Sequence, residues 1–320
     1  MLRLRGKEAR SGVCDEIAGL AACHSSLMPY SSLSVYARLI PGRTTIPVCG
    51  IAWWARPSAE DPKRQEDMMT DYLDFRGKVA VVTGGRRGLG RAMVLAFAER
   101  GAQVAIISQS PEADDLVGEL EEAGAEAMYL SADLGKQEAR AGLIDRVVDR
   151  FGRVDILVNN AGLQFRESVE TCTWEQWETS RSVLLDAVFD LSQQAVPHMK
   201  RQGGGKIINI SSICAFREAG GNFSYGVMKG AVVSMTRCMA NSLAQHGINV
   251  NAIAPGILRT DLTEPCFADP ENLKRQCAKY PTGHLGEAED IVGPTLFLAS
   301  EMSAFVHGQT LTVDGGFTGN

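Results

Sequence analysis

Ser212, Tyr225 and Lys229 stand in the order Ser-x12-Tyr-x3-Lys. A tyrosine four residues before a lysine puts both side chains on one face of a helix. The serine lies just past the apolar run Lys206-Ile-Ile-Asn-Ile210, at the C-terminal end of an expected strand, where open α/β sheets hold their ligands. A phenol with an ordinary pKa of about 10 is too weak an acid for proton transfer near neutrality. A neighbouring ammonium favours the phenolate and brings that value down. The serine hydroxyl can hydrogen-bond the same carbonyl or alcohol oxygen. Together the three make a proton-transfer device for interconverting C=O and CH–OH. A Tyr-x3-Lys pair by itself is more often a solvated surface pair, so its weight depends on what precedes it.

What precedes it is a phosphate cradle. Lys78-Val-Ala-Val-Val82 is a short apolar, β-branched run of the kind a buried parallel strand requires. Thr83-Gly-Gly-Arg-Arg-Gly-Leu-Gly90 follows, then an amphipathic stretch over 91–100. Strand, glycine turn and helix N-terminus form a pyrophosphate site: glycines let the backbone approach the phosphates and the helix dipole favours an anion. The spacing is G-x3-G-x-G, from Gly84 through Gly88 to Gly90.

The elements that must position these groups repeat the pattern. Val104-Ala-Ile-Ile107, Ala127-Met-Tyr-Leu130, Val154-Asp-Ile-Leu-Val158, Asn249-Val-Asn-Ala-Ile253 and Thr310-Leu-Thr-Val313 read as further strands. Helical segments are expected at 113–123, 136–151, 173–201 and 224–246. Regular β-α alternation predicts a single doubly wound Rossmann domain with a mainly parallel seven-stranded sheet, long enough to bury one sizeable core.

With these motifs in order, the chain resembles the short-chain dehydrogenase/reductase family over about 75–317. The matching residues are Thr83-Gly84, Gly88-Leu89-Gly90, Asp133, Asn159-Asn160-Ala161-Gly162, Ser212, Tyr225 with Lys229, Pro255-Gly256 with Thr260, and Asp314-Gly315-Gly316. Singly, each has a plain structural reading as a turn or cap; their joint order does not. The resemblance implies transfer of two electrons between a nicotinamide and a substrate alcohol or carbonyl. Tyr225 is then the general acid/base, Lys229 lowers its pKa and holds the nicotinamide ribose, and Ser212 polarises the substrate oxygen. Gly84, Arg87, Gly88, Leu89 and Gly90 hold the phosphates and Asp133 the adenine. Asn160, Ala161 and Gly162 line the adenosine side, and Pro255, Gly256, Ile257 and Thr260 clasp the nicotinamide amide and the phosphates. Relatives also pack the helices at 173–201 and 224–246 into homotetramers.

One departure stands out. Relatives carry an asparagine in the helix before the serine strand, supporting a water that relays protons from the lysine. In the segment from Trp177 to Phe189 that place falls on Leu184, which cannot make the hydrogen bond.

An acid at the end of the second strand would grip a ribose 2′-hydroxyl and repel a 2′-phosphate. Ser108, Gln109 and Ser110 stand there instead. Arg87 precedes the second motif glycine and can pair with phosphate. NADP is therefore the expected cofactor, with NAD as the alternative. For substrate, Arg166 and Arg217 are cationic candidates for a carboxylate. The phrasing of 160–163, 206–210 and 292–300 is similar to sugar-acid dehydrogenases acting on 2-dehydro-3-deoxy-gluconate or gluconate at carbon 5. It is next most similar to 3-oxoacyl-acyl-carrier-protein reductases. A sugar acid or polyol is the expected substrate. A dinucleotide-binding regulator is the reading from another class, and Leu184 is its support.

The expected division is an N-terminal extension over 1–74 and a dinucleotide-binding catalytic domain over 75–320. The extension has no β-α pattern, and Met68 and Met69 stand where a family member begins; it reads as disordered or as an upstream start chosen in error. No apolar run reaches the roughly 20 residues that span a membrane. A net charge of −6 leaves no nucleic-acid footprint. The eight cysteines form no C-x2-C pair and read as reduced thiols, and the five histidines lack metal-ligand spacing. The expectation is a cytoplasmic, metal-free enzyme with a small-molecule substrate.

Overall fold

The computed structural model describes residues 71–111, 114–217 and 221–319; residues 1–70, and with them most of the expected extension, lie outside the described residues. The strand β1 (Val79–Thr83) is buried along its whole length. Its residues alternate between two cores, as a strand's must. Ala80 and Val82 join Phe97, Ile106 and Leu296 on one face. Val79 and Val81 join Ile107, Leu157, Leu191 and Ile207 on the other. Burial on both faces is why the run is continuously apolar.

After the glycine turn the chain continues through α1 (Gly88–Glu99), β2 (Gln103–Ser108), α2 (Asp114–Glu122), β3 (Ala127–Ser131), α3 (Leu143–Phe151) and β4 (Ile156–Asn159). Then come α4 (Trp174–Arg181), a π-helical segment Ser182–Asp186, α5 (Ala187–Arg201), β5 (Gly205–Ile210) and α6 (Phe223–Leu243). The remainder is β6 (Ile248–Pro255), α7 (Pro270–Cys277), α8 (Val292–Ala299) and β7 (Thr310–Val313). The seven strands lie in the order β3-β2-β1-β4-β5-β6-β7, and every pairing is parallel. The doubly wound sheet is thus wholly, not mainly, parallel. Chain direction across it reverses between β1 and β4, so a crevice opens there at the carboxyl ends of the strands.

Four local departures from the sequence expectation have physical causes. The expected helix at 136–151 is broken: a turn at Gln137–Arg140 ends before Gly142, whose φ of 68° starts α3 afresh. The expected helix at 173–201 keeps its course but widens to π geometry at Ser182–Asp186. β4 starts at Ile156, two residues after Val154, because Asp155 turns to accept the Val79 amide at 2.9 Å. Finally, α8 is a helix that the pair Gly293-Pro294 conceals; the proline lies in its first turn, where a missing N–H is tolerated.

Candidate active site

The crevice is a cleft of about 520 Å³ running from Ser108 and Asp133 at one end to Ser212, Tyr225 and Lys229 at the other. Gly84, Arg87, Gly88, Leu89, Gly90, Asn160, Ala161, Gly162, Pro255, Gly256 and Thr260 line it between. Of the expected catalytic and cofactor residues only Ile257 falls elsewhere, and the two substrate candidates, Arg166 and Arg217, are not among the lining residues. Ile257 lines a smaller cavity of about 270 Å³ behind the same loop, and Gly256 and Leu258 are walls of both. The Ile257 amide donates to the Tyr280 hydroxyl at 2.9 Å.

The glycine turn is built for close backbone approach. A Cβ on Gly90 would lie 2.1 Å from the Gly84 carbonyl oxygen and 2.7 Å from Asn160 Nδ2. Gly84 has φ +63° and its amide donates to Ile107 O at 2.7 Å. Arg87 precedes α1 without a side-chain cap, which leaves the first amides of the helix free for an anion. Asn160 buttresses this turn: its Nδ2 donates to Thr83 O at 2.8 Å and to Gly84 O at 3.3 Å. The Thr83 hydroxyl accepts the Asn160 and Ala161 amides, each at 2.9 Å. The Asn160 amide group is thus spent on the turn, and it is the wall around it that faces the cleft. Asp133 Oδ1 accepts from the Gly135 amide at 3.0 Å and Oδ2 stands 3.8 Å from Lys136 Nζ. Arg87 is exposed and reaches across the mouth to Asp261 at 3.4 Å.

At the other end the two serines divide their work. Ser211 donates to Lys229 O at 2.9 Å, pinning α6 to the end of β5. The Ser212 hydroxyl accepts the Cys214 amide at 3.1 Å and is hydrogen-bonded to the Tyr225 hydroxyl. Lys229 Nζ lies 5.6 Å from the centre of the Tyr225 ring and donates to Ile210 O at 2.6 Å. Burial pushes the Tyr225 phenol up to about 12, against the pull of the Ser212 hydrogen bond. Burial also pulls the Lys229 amine down to about 8. Here the expected lowering of the tyrosine by the lysine is reversed. The amine is turned to a backbone carbonyl and is itself disfavoured as a cation, so desolvation wins.

Leu184 is fully buried within the π-helical segment, and a Cβ on Gly162 would meet its Cδ2 at 3.6 Å. The wall beside Gly162 is therefore apolar at this point. Beneath the site runs a buried polar thread that the sequence reading missed. Asn159 Nδ2 donates to Ser192 Oγ at 3.2 Å and to Asn209 Oδ1 at 2.9 Å, and Asn209 Nδ2 donates to Thr236 Oγ1 at 2.9 Å. It ties α5 and α6 through β4 and β5; two asparagines inside apolar strands were the available signal. Of the two candidate arginines, Arg166 donates to Asn222 Oδ1 at 3.1 Å. Arg217 stacks 4.9 Å over the Phe317 ring. Among the described residues no cluster of His, Cys, Asp and Glu could hold a metal ion.

Residues 84–318 match the family described as Enoyl-(Acyl carrier protein) reductase. The 2-dehydro-3-deoxy-D-gluconate 5-dehydrogenase of Escherichia coli is 40% identical over 251 residues, 78% of this chain and 99% of that protein. The chain belongs to the short-chain dehydrogenase/reductase family. Gluconate 5-dehydrogenase of Gluconobacter oxydans is 36% identical over 249 residues, 78% of this chain and 97% of its own. A crystal structure of a gluconate 5-dehydrogenase from Burkholderia cenocepacia, in complex with NADP and tartrate, superposes with a TM-score of 0.75 at 35% identity. It covers 78% of this chain and 98% of that one. As a short-chain dehydrogenase/reductase the protein is an NAD(P)-dependent oxidoreductase acting on CH–OH groups. Among the described residues no helix is long and apolar enough to cross a membrane.

Proposed function

We propose that the protein is a sugar-acid dehydrogenase, interconverting a secondary alcohol and a ketone on a hydroxylated carboxylate, with NADP preferred and NAD as the alternative. One observation carries the reading: Ser212, Tyr225 and Lys229 meet at one end of a cleft whose other end is a glycine cradle with no acid at Ser108. The cradle fits a dinucleotide pyrophosphate, since the first amides of α1 carry no side-chain cap and the turn closes tightly enough that a Cβ on Gly90 would collide with the Gly84 carbonyl. Gly84, Arg87, Gly88, Leu89 and Gly90 would hold the phosphates, and Ser108 and Asp133 the adenosine. Asn160, Ala161 and Gly162 would form the wall, and Pro255, Gly256, Ile257 and Thr260 the nicotinamide loop. When bound, the nicotinamide is the two-electron carrier; the protein handles the proton.

Tyr225 holds its proton at neutral pH, because burial keeps the phenol neutral. That is the form that gives a proton to a substrate carbonyl oxygen, while Ser212 donates a hydrogen bond to the same oxygen. In the oxidation direction Tyr225 must accept the alcohol proton. Lys229, swung from the Ile210 carbonyl toward the phenol, is the group that can favour the phenolate. Arg166 and Arg217, both exposed beside the loops that flank this end, are the groups available for the substrate carboxylate.

The same reading makes the protein cytoplasmic and a homotetramer. Trp174, Phe189 and Val227, exposed by 80%, 50% and 43%, lie on the helices relatives use for assembly.

The test is oxidation and reduction of a panel of sugar acids, polyols and 3-oxoacyl thioesters, each with NAD(H) and NADP(H), alongside Tyr225→Phe. A sugar acid should give the highest kcat/KM, and Tyr225→Phe should lose about 10²–10⁴-fold in kcat with cofactor binding intact. Preference for the thioesters would make the protein a 3-oxoacyl-acyl-carrier-protein reductase. No turnover of any substrate would favour the dinucleotide-binding regulator.

A further inference from the structure

Glu167 is 4% exposed, and its Oε2 is buried without a hydrogen-bond partner. Burying a carboxylate with a bare oxygen is costly, and the proton chemistry above gives this one nothing to do. Its other oxygen is fully engaged. Oε1 accepts from the Ser224 amide at 2.9 Å and from the Ser224 hydroxyl at 2.6 Å. Ser224 is fully buried and immediately precedes Tyr225.

The helix that carries Tyr225 does not cap itself. Its N-cap residue, Asn222, makes no side-chain capping bond. The Asn222 side chain instead accepts from Arg166 at 3.1 Å. The acceptor that α6 lacks arrives from the loop after β4, as Glu167. The backbone holds the two segments together as well: the Glu167 amide donates to Gly221 O at 3.1 Å, and the Phe223 amide donates to Glu167 O at 3.2 Å. A third contact runs to α4, where Ser180 and Ser224 hydroxyls lie 2.9 Å apart, both fully buried. The carboxyl group sits at the N-terminal end of a helix of 21 residues, where the unpaired amides need an acceptor.

We propose that Glu167 is a positioning residue for the reaction: it caps α6 from outside, and so fixes where the first turn of that helix, and Tyr225 within it, stands against Ser212. The arrangement also leaves the Asn222 side chain to accept from Arg166. The inference rests on Tyr225 being the acid/base. A first helical turn left without its acceptors frays, and a reacting group displaced by about 1 Å can lose on the order of 10² in rate.

The experiment measures kcat, substrate KM and NADPH Kd for Glu167→Ala and Glu167→Gln, with kcat referred to sites counted by NADPH binding. Glu167→Ala should lose up to about 10²-fold in kcat with NADPH Kd changed far less, because the phosphates are held at the glycine turn, on elements that Glu167 does not touch. Glu167→Gln keeps an acceptor oxygen for Ser224 and should recover most of the loss. Should Glu167→Ala fail to fold, Ser224→Ala deletes the 2.6 Å bond alone and should show a smaller kcat loss of the same kind. Wild-type kcat in folded Glu167→Ala, or in Ser224→Ala where that variant stands in, overturns the proposal. So does a Glu167→Gln enzyme no better than Glu167→Ala. Tyr225→Phe run in parallel separates the two ideas. Full activity there sinks the acid/base reading, whereas an inactive Tyr225→Phe beside a fully active Glu167→Ala sinks only the positioning role.

Discussion

Lys229 should make the ligand-free protein more stable as pH rises from neutral to 10. The amine is 4% exposed, and burial draws its pKa from 10.5 to about 8. In the unfolded chain it keeps its proton up to the ordinary value. Between those two values the unfolded state binds more protons than the folded one, so stability increases with pH there. At 1.36 kcal/mol per pH unit the full gap is worth roughly 3 kcal/mol. Nearly all of it weighs against folding at pH 7, and roughly 1 kcal/mol is left at pH 10. The wild type should therefore gain roughly 2 kcal/mol over that range from this group. Lys229→Met has similar length and no charge to titrate. It also loses the bond to Ile210 O, but that offset does not change with pH. Tyr225 works in the opposite direction: its raised folded pKa gives stability present below 10 and lost as pH climbs through about 12. It is common to both proteins and cancels in the difference. Urea unfolding of both, at pH 7, 8, 9 and 10 and one protein concentration, reads the result. The gap between them should move by roughly 2 kcal/mol in favour of wild type. A gap independent of pH would mean that the Lys229 amine is hydrated in the free protein, and the dry wall around it would be refuted.

The same amine should appear as an inflection near pH 8 in kcat/KM, which reports groups of the free enzyme; no inflection between pH 7 and 9 would count against it. Arg87→Ala should raise the NADP(H) Kd roughly tenfold to a hundredfold, the equivalent of about 1.5–3 kcal/mol for a charge-assisted bond. NAD(H) should change far less, since the Asp261 pair it also loses is exposed; equal losses for both cofactors would show that Arg87 does not read the 2′-phosphate. Leu184→Asn should raise kcat at unchanged cofactor affinity if a proton relay is what the leucine removes. It should cost about 1–3 kcal/mol of stability if the buried amide finds no partner; a stable variant with unaltered kcat would mean another group carries the relay. A chain starting at Met68 should fold and turn over like the full-length form, because relatives match 251 residues of this chain with 99% of their own length. Loss of activity on truncation would refute that.

The sheet was legible because its inner strands are buried on both faces, and Val79, Val81, Ile106 and Ile207 leave no other reading of their runs. The cleft was legible because its walls come from strand ends, where motif residues cluster. Contacts across long gaps were not. Glu167 and Ser224 are 57 positions apart, and Ile257 and Tyr280 are 23 apart; neither pair has a spacing that periodicity can reveal. Nor could the sequence weigh desolvation against charge at Tyr225. That balance depends on which way the Lys229 amine turns, and the Ile210 carbonyl decides it. The helix α8 was hidden by two residues that normally end helices.

The π-helical segment Ser182–Asp186 amounts to one extra residue inside an otherwise unbroken helix. Each residue of an α-helix turns the chain by about 100°. Everything after the segment is therefore rotated by that much relative to a straight continuation of α4, and only so do Leu191, Ala195 and Met199 face the core while Ser180 faces Ser224. Removing a single residue here would let the helix close into regular α geometry with the core-facing stripe of α5 kept in place, whereas closing the bulge with every residue retained would turn that stripe by about 100°. The bulge is thus the stretch of this helix that can give up one residue without re-aiming its faces; the same deletion within the regular turns of α5 would re-aim them.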